Sequence, residues 1–179
     1  MDGAHRRKLK RIDLPRHGRY LTFSCYRRMP LLNNDRIKDA FVDHLAFVRK
    51  QMDFQLLAWV VMPEHVHLLV LPGKASVTAI LRRLKAPFAK QILARWRALD
   101  APVLPQLIDA HGEHRFWQRG GGYDRKVVSE AVVHQTIDYI HANPVRRQLV
   151  HRVTDWRRSS SRWYAGKRRN GPTIDRLRL

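Results

Sequence analysis

Two histidines, His65 and His67, stand two positions apart in an apolar run, and Tyr139 and Asn143 stand four apart in a later helical run. Alternate side chains of a strand share a face, so both imidazoles point the same way while Val66, Leu68 and Val70 point into a core. Two imidazoles side by side form a bidentate grip for zinc, manganese, iron or nickel, with the third ligand deciding between them. The same pair also reads as two solvent-facing or hydrogen-bonded histidines on an amphipathic strand. The apolar setting and the Pro63-Glu64 turn just before it favour the grip. Glu64 can bind metal, act as a base or cap that turn, and the turn role fits best.

Residues four apart on a helix share a face, so Tyr139 and Asn143 face one way, with Gln135 a turn earlier. A tyrosine oxygen can attack phosphorus and become esterified. A phenol is a poor nucleophile at its free pKa of about 10 and needs a cation to polarise the phosphate. An asparagine carbonyl one turn away is a hard oxygen donor suited to magnesium or manganese. Taken singly, Tyr139 reads better as a core-edge tyrosine and Asn143 as a C-terminal cap before Pro144.

These groups need elements to position them. Residues 20–26 are rich in aromatic and β-branched types and predict a first strand. Asn33-Asn34-Asp35 offers a helix N-cap, and apolar spacing carries a helix to about Met52. Residues 54–62 and 65–71 predict two further strands around the Pro63-Glu64 turn. Helical pattern runs from Ser76 to about Leu99, with Pro87 expected to kink or split it. Residues 100–114 read as a loop, 116–118 as a short fourth strand, and Gly120-Gly121-Gly122 as a flexible break. Ser129 caps a last helix that Pro144 should stop near Ala142. The order is α+β, a ferredoxin-like split βαββαβ sheet with a C-terminal catalytic helix and basic tail. The expected division is a basic arm over 1–18, a catalytic domain over 19–145 and a basic tail over 146–179.

Charge names the partner class. The 179 residues carry 35 Lys plus Arg against 15 Asp plus Glu, a formal net charge of +20. So basic a chain repels itself, and a polyanion relieves that repulsion and releases counterions on binding. Nucleic acid fits best, with a solvated basic face or an anionic lipid surface as the other readings. Arg82, Arg83, Lys85 and Lys90 on the Pro87 helix, with Arg95 and Arg97, and Arg119, Arg146 and Arg147 are the candidate phosphate contacts. Trp156, Trp163 and Tyr164 either stack on unpaired bases or pack the tail onto the core. The single Cys25 excludes an intramolecular disulfide and a cysteine zinc cluster. The start of the chain has no signal-peptide-like apolar stretch, and no run is long enough to cross a bilayer. The expectation is a cytoplasmic, nucleoid-associated protein without a membrane partner.

Several strings resemble one family. Trp59-Val60-Val61-Met62-Pro63-Glu64-His65-Val66-His67 resembles the histidine-hydrophobic-histidine motif of the HUH nucleases. Asp138-Tyr139-Ile140-His141-Ala142-Asn143-Pro144-Val145-Arg146-Arg147 resembles the tyrosine helix of the REP-associated tyrosine transposases. The stretches from Phe116 to Arg125 and from Asp155 to Tyr164 resemble the same family, so the likeness runs in order from Tyr20 to Tyr164. The resemblance implies His65 and His67 as metal ligands, Asn143 as the amide-type third ligand and Tyr139 as the nucleophile. It further implies Mg2+ or Mn2+, single-stranded DNA hairpins as substrate, cleavage through a 5′-phosphotyrosine, and action as a monomer or homodimer. Tyr123, beside the glycine run, is a minor rival nucleophile. Two other readings stand beside this one. The first is a non-catalytic nucleic-acid hairpin binder of the same fold, the second a zinc hydrolase using His65, His67 and a carboxylate.

Overall fold

In the computed structural model, which describes residues 17–167 and 171–175, four strands form one antiparallel sheet in the order β2-β3-β1-β4. They are β1 (Gly18–Ser24), β2 (Gln55–Val61), β3 (His65–Leu71) and β4 (Tyr123–Val127). Helix α1 (Asp35–Met52) joins β1 to β2, and α2 (Val77–Ala98) joins β3 to β4. Helix α3 (Glu130–Arg146) follows β4, and a single turn, α4 (Ser161–Tyr164), lies near the end. This is the expected ferredoxin-like order. The basic arm expected over 1–18 lies, but for its last two residues, outside the described residues.

Alternation along the strands divides the apolar residues between two cores. Leu21, Phe23, Leu56, Val61, Val66, Leu68 and Val70 pack with Phe41, Leu45 and Val48 of α1 and Ile80, Leu84 and Phe88 of α2. Tyr20, Ala58, Val60, Leu69 and Val127 pack with Val133, Ile137 and Ile140 of α3 on the opposite face. Burying each such aliphatic side chain contributes roughly 1.5–3 kcal/mol, which is what seats α3 over the sheet. Asn34, Ser76 and Ser129 cap α1, α2 and α3 by accepting backbone N–H groups.

Three local expectations are corrected. The fourth strand is Tyr123–Val127 rather than 116–118, which makes only an isolated bridge from Trp117 to Cys25. What sets β4 is Gly122: at φ +74° it lies so close to β1 that any Cβ would strike the Thr22 carbonyl. The buried pair Arg19–Asp124 then ties the two strands, Nε to Oδ1 at 2.9 Å and Nη2 to Oδ2 at 2.7 Å.

Second, Pro87 does not split α2. Proline lacks the N–H that would reach the Arg83 carbonyl, and His44 of α1 supplies a substitute, its Nε2 lying 3.1 Å from that oxygen. Third, α3 runs past Pro144 to Arg146, one turn beyond the expected stop. Asn143 is therefore inside the helix and not its cap. The extra turn brings Arg146 over the Tyr139 ring and Arg147 to Glu64, beside His65.

Residues after α3 close the outer edge of β2. The Val61 N–H donates to the Arg158 carbonyl (2.9 Å), and the Ser160 N–H to the Trp59 carbonyl (2.9 Å). The Tyr164 hydroxyl donates to the Leu57 carbonyl (2.8 Å), and the Trp156 indole to the Val61 carbonyl (3.0 Å). The Asp175 carboxylate accepts the Leu56 N–H (2.8 Å) while holding Arg49 (2.7 Å). An edge that would template pairing with another chain is thus satisfied internally. Of the two readings for the late aromatics, packing is the one observed for Trp156 and Tyr164.

Candidate active site

The sheet register sets Thr22 opposite His67 and Ser24 opposite His65. Both imidazoles, with Tyr20 and Thr22, lie on the face that α3 covers. Their Nε2 atoms converge to 2.9 Å. Each outer nitrogen is held. Nδ1 of His65 meets Glu64 Oε1 at 3.1 Å, and Nδ1 of His67 meets the Tyr20 hydroxyl at 2.8 Å and Thr22 Oγ1 at 2.7 Å. Burial lowers the pKa of both histidines. That of His67 is pushed down to about 3, first by burial and then by the neighbouring His65, against the pull of the Asn143 side chain. Both rings are therefore neutral near pH 7, the form that offers a lone pair.

Helix α3 brings the phenol to them. The Tyr139 ring centroid lies 5.9 Å from that of His67 and 6.1 Å from that of Tyr20, and Tyr139 is 42% exposed. Arg146 covers its other side, with the guanidinium carbon 5.2 Å from the ring centroid. The Asn143 Nδ2 donates to the Tyr139 carbonyl at 2.7 Å. That bond occupies the amide's donor end and leaves its oxygen as the end available to His67. Tyr20 shares hydrogen bonding with Thr22 and Tyr139, and burial above all pushes its pKa up to about 12.

The donor set fits a divalent ion. Adjacent ligands on one octahedral ion at bonds of ~2.1 Å stand about 3 Å apart, as these Nε2 atoms do, and both outer nitrogens have orienting partners. The Asn143 amide oxygen is the third donor at hand. Among the described residues no cluster of three or more His, Cys, Asp and Glu side chains could hold a metal. Among the described residues no carboxylate stands on the Nε2 side as a zinc hydrolase would need, and Glu64 sits on the far nitrogen of His65 and pairs with Arg147 at 2.9 Å.

The sequence profile described as "Transposase IS200 like" matches residues 19–143, more than half of the chain. The chain belongs to the IS200-like transposase family. Two relatives of this transposase bear the name REP-associated tyrosine transposase. One, from Haemophilus influenzae, where the name is provisional, is 27% identical over 135 residues, covering 70% of this chain and 73% of the relative. The other, from Escherichia coli K12, is 27% identical over 110 residues, covering 61% of this chain and 55% of the relative. A solved REP-associated tyrosine transposase bound to a REP hairpin superposes with a TM-score of 0.65 at 20% identity, covering 95% of this chain and 93% of that one. At that identity the superposition speaks for the fold. No helix among the described residues is long and apolar enough to cross a membrane.

The residues expected to bind DNA fall into three groups. Arg146 and Arg147 flank the tyrosine and the histidine pair. Arg82, Lys85 and Arg119 line a groove of about 450 Å³ between α2 and the 114–121 loop, whose titratable lining residues are all basic. Lys85 also holds that loop by donating to the Gln118 and Gly120 carbonyls at 3.2 and 2.7 Å, and Arg119 pairs with Asp109 at 2.9 Å. Arg83, bonded to Gln51 at 2.9 Å, and Lys90 lie outside both places.

Sequence reasoning missed Tyr20 as part of the site and undervalued Glu64. Tyr20 shares the face of Thr22 by alternation, but only the β1–β3 register sets it against His67. Tyr123, 55% exposed on β4, lies 5.8 Å from the Tyr20 ring, and no contact with either histidine is seen.

Proposed function

We propose that this transposase is a metal-dependent, single-stranded DNA endonuclease and strand transferase that cleaves near hairpins through a 5′-phosphotyrosine. The observation that carries the reading is Tyr139: a half-exposed phenol on the ring of His67, one helical turn from the Asn143 amide. In this reading His65, His67 and Asn143 hold Mg2+ or Mn2+, and the bound ion supplies charge stabilisation at the scissile phosphate. The Tyr139 oxygen bonds to phosphorus as the bond from phosphorus to the 3′ oxygen breaks. The phenol loses its proton, and the 3′ oxygen gains one. The phosphotyrosine ester retains the energy of the broken linkage, so a second 3′ hydroxyl can rejoin the strand without ATP. Arg146 and Arg147 hold DNA phosphates beside the tyrosine, while Arg82, Lys85 and Arg119 hold the substrate along the α2 groove. A +20 chain with such a substrate would associate with the nucleoid.

The test is covalent capture. Wild-type protein and a single-stranded hairpin with unpaired flanks, in manganese, should give a protein–DNA adduct stable to denaturation, and Tyr139→Phe should give none. Hairpin binding without an adduct in the wild type would favour the non-catalytic binder, and an adduct surviving in Tyr139→Phe would remove Tyr139 as nucleophile.

A further inference from the structure

Two buried donors stand unmet on the face of the sheet opposite the histidines. Trp59, on β2, is 2% exposed and packs in the α1–α2 core, yet its Nε1–H meets no acceptor among the described residues. The Nε–H of Arg162, on α4, is likewise buried and unmet. Leaving a buried donor unmet is costly, and two at one place call for a shared acceptor. Both residues line one recess of about 30 Å³, which holds an oxygen but not a whole polyatomic ion. Gly171 forms its mouth: a Cβ there would stand 3.0 Å from Trp59 Cζ2, on the ring edge that carries Nε1. Arg157 and Lys167 add two further cations, and no carboxylate is among the described residues lining the recess. Outside lies a cleft of about 600 Å³ that shares Arg157, Arg162 and Gly171 with the recess. Its α1 wall carries Asp43 and Asp39, and Arg158 neutralises Asp39 at 2.8 and 2.9 Å.

The chemistry of the walls selects the acceptor. A water would accept from both N–H groups, but its own protons would then face charged side chains that only donate. An oxyanion presents acceptors alone and meets the positive charge of Arg157, Arg162 and Lys167. A tetrahedral phosphate matches the two volumes, with one oxygen in the recess and the others, with any substituent, in the cleft. We propose that recess and cleft form a phosphate-binding site separate from the active site. Trp59 Nε1 and Arg162 Nε donate to one phosphate oxygen, and Arg157 and Lys167 hold the charge outside. The ligand is a phosphate group, carried on a DNA backbone or free in solution. Trp59 pairs with Leu68 and shares its face, while His67, one residue away, points to the other. The site therefore stands whether or not Tyr139 cleaves DNA.

The test is proton–nitrogen correlation NMR of the indole groups in the full chain labelled with nitrogen-15. Titration with inorganic phosphate should move the Trp59 Nε1–H signal to saturation, and chloride at matched ionic strength should not. The Trp156 indole, already bonded to the Val61 carbonyl, should stay in place. Arg162→Gln should weaken phosphate binding by about 10-fold or more, the effect of losing one charge-assisted bond. The hairpin used for covalent capture is titrated next. The same Trp59 shift with the hairpin would name a DNA phosphate as the ligand, and a signal that answers phosphate but ignores the hairpin would name the free ion. A Trp59 signal unmoved by phosphate and hairpin alike, or moved equally by chloride, would overturn the site and leave a buried water as the acceptor. That titration uses the wild type and depends on no variant folding. Unchanged phosphate affinity in a folded Arg162→Gln would overturn it as well.

Discussion

Glu64 and Arg147 meet at 2.9 Å, joining the turn before β3 to the residue that ends α3. The Glu64 side chain is 11% exposed and that of Arg147 is 55% exposed. Removing the arginine leaves a nearly buried carboxylate with His65 as its remaining partner. Arg147→Met should lower stability by about 1–2 kcal/mol in urea unfolding at low salt, less at high salt, because the arginine is half in water. Arg147→Lys should recover part of it. An equal loss at all salt concentrations would mean that the arginine acts through packing rather than charge.

Asn143 can be tested apart from the tyrosine. Asn143→Ala keeps the helix and removes one bond to the Tyr139 carbonyl and one oxygen donor. Mn2+ affinity and the rate of adduct formation should both fall, the rate by about 100-fold, while the unfolding midpoint moves by about 1 kcal/mol or less. Unchanged metal affinity would exclude the amide as the third donor.

Burial of His44, which donates to the Arg83 carbonyl, gives the packing of α1 on α2 a pH dependence. Burial lowers the His44 pKa below that of an unfolded histidine. The unfolded chain therefore binds the proton more readily, and the contribution present above about pH 6.5 is lost as pH falls toward the folded pKa. His44→Gln can still donate to that carbonyl but does not titrate. The wild type should lose more stability than His44→Gln between pH 7.5 and 5.5, read by urea midpoints. Parallel losses would place the acid sensitivity elsewhere.

The covered β2 edge predicts effects far from the site. Tyr164→Phe removes one hydrogen bond to Leu57 and should cost about 1 kcal/mol. Asp175→Ala strands both Arg49 and the Leu56 N–H and should cost about 1–3 kcal/mol. It should also promote self-association through the freed edge, measured by light scattering. Tyr164→Phe should leave hairpin affinity unchanged. A large loss of DNA binding would put Tyr164 against bases after all.

For the groove, Arg82→Gln and Arg119→Gln should each weaken hairpin binding and reduce the salt slope by about 1. Arg83→Gln, outside the groove, should change that slope less. Equal effects would assign the binding to overall charge.

The sequence alone determined most of the elements and the candidate groups. Apolar periodicity and capping residues are local signals, so three strands, α1, the start of α3 and the shared face of His65 and His67 were legible residue by residue. Local signals failed where a distant atom intervened. His44 repairs the gap that Pro87 makes, and α3 continues through Pro144. The position of β4 depends on a backbone approach at Gly122 that no side chain announces. Only the tertiary structure decided what surrounds each histidine. Tyr20, Thr22, Glu64 and Arg147 reach them through strand register and the packing of α3. Register and packing are set by two whole cores at once, and no stretch of sequence holds them.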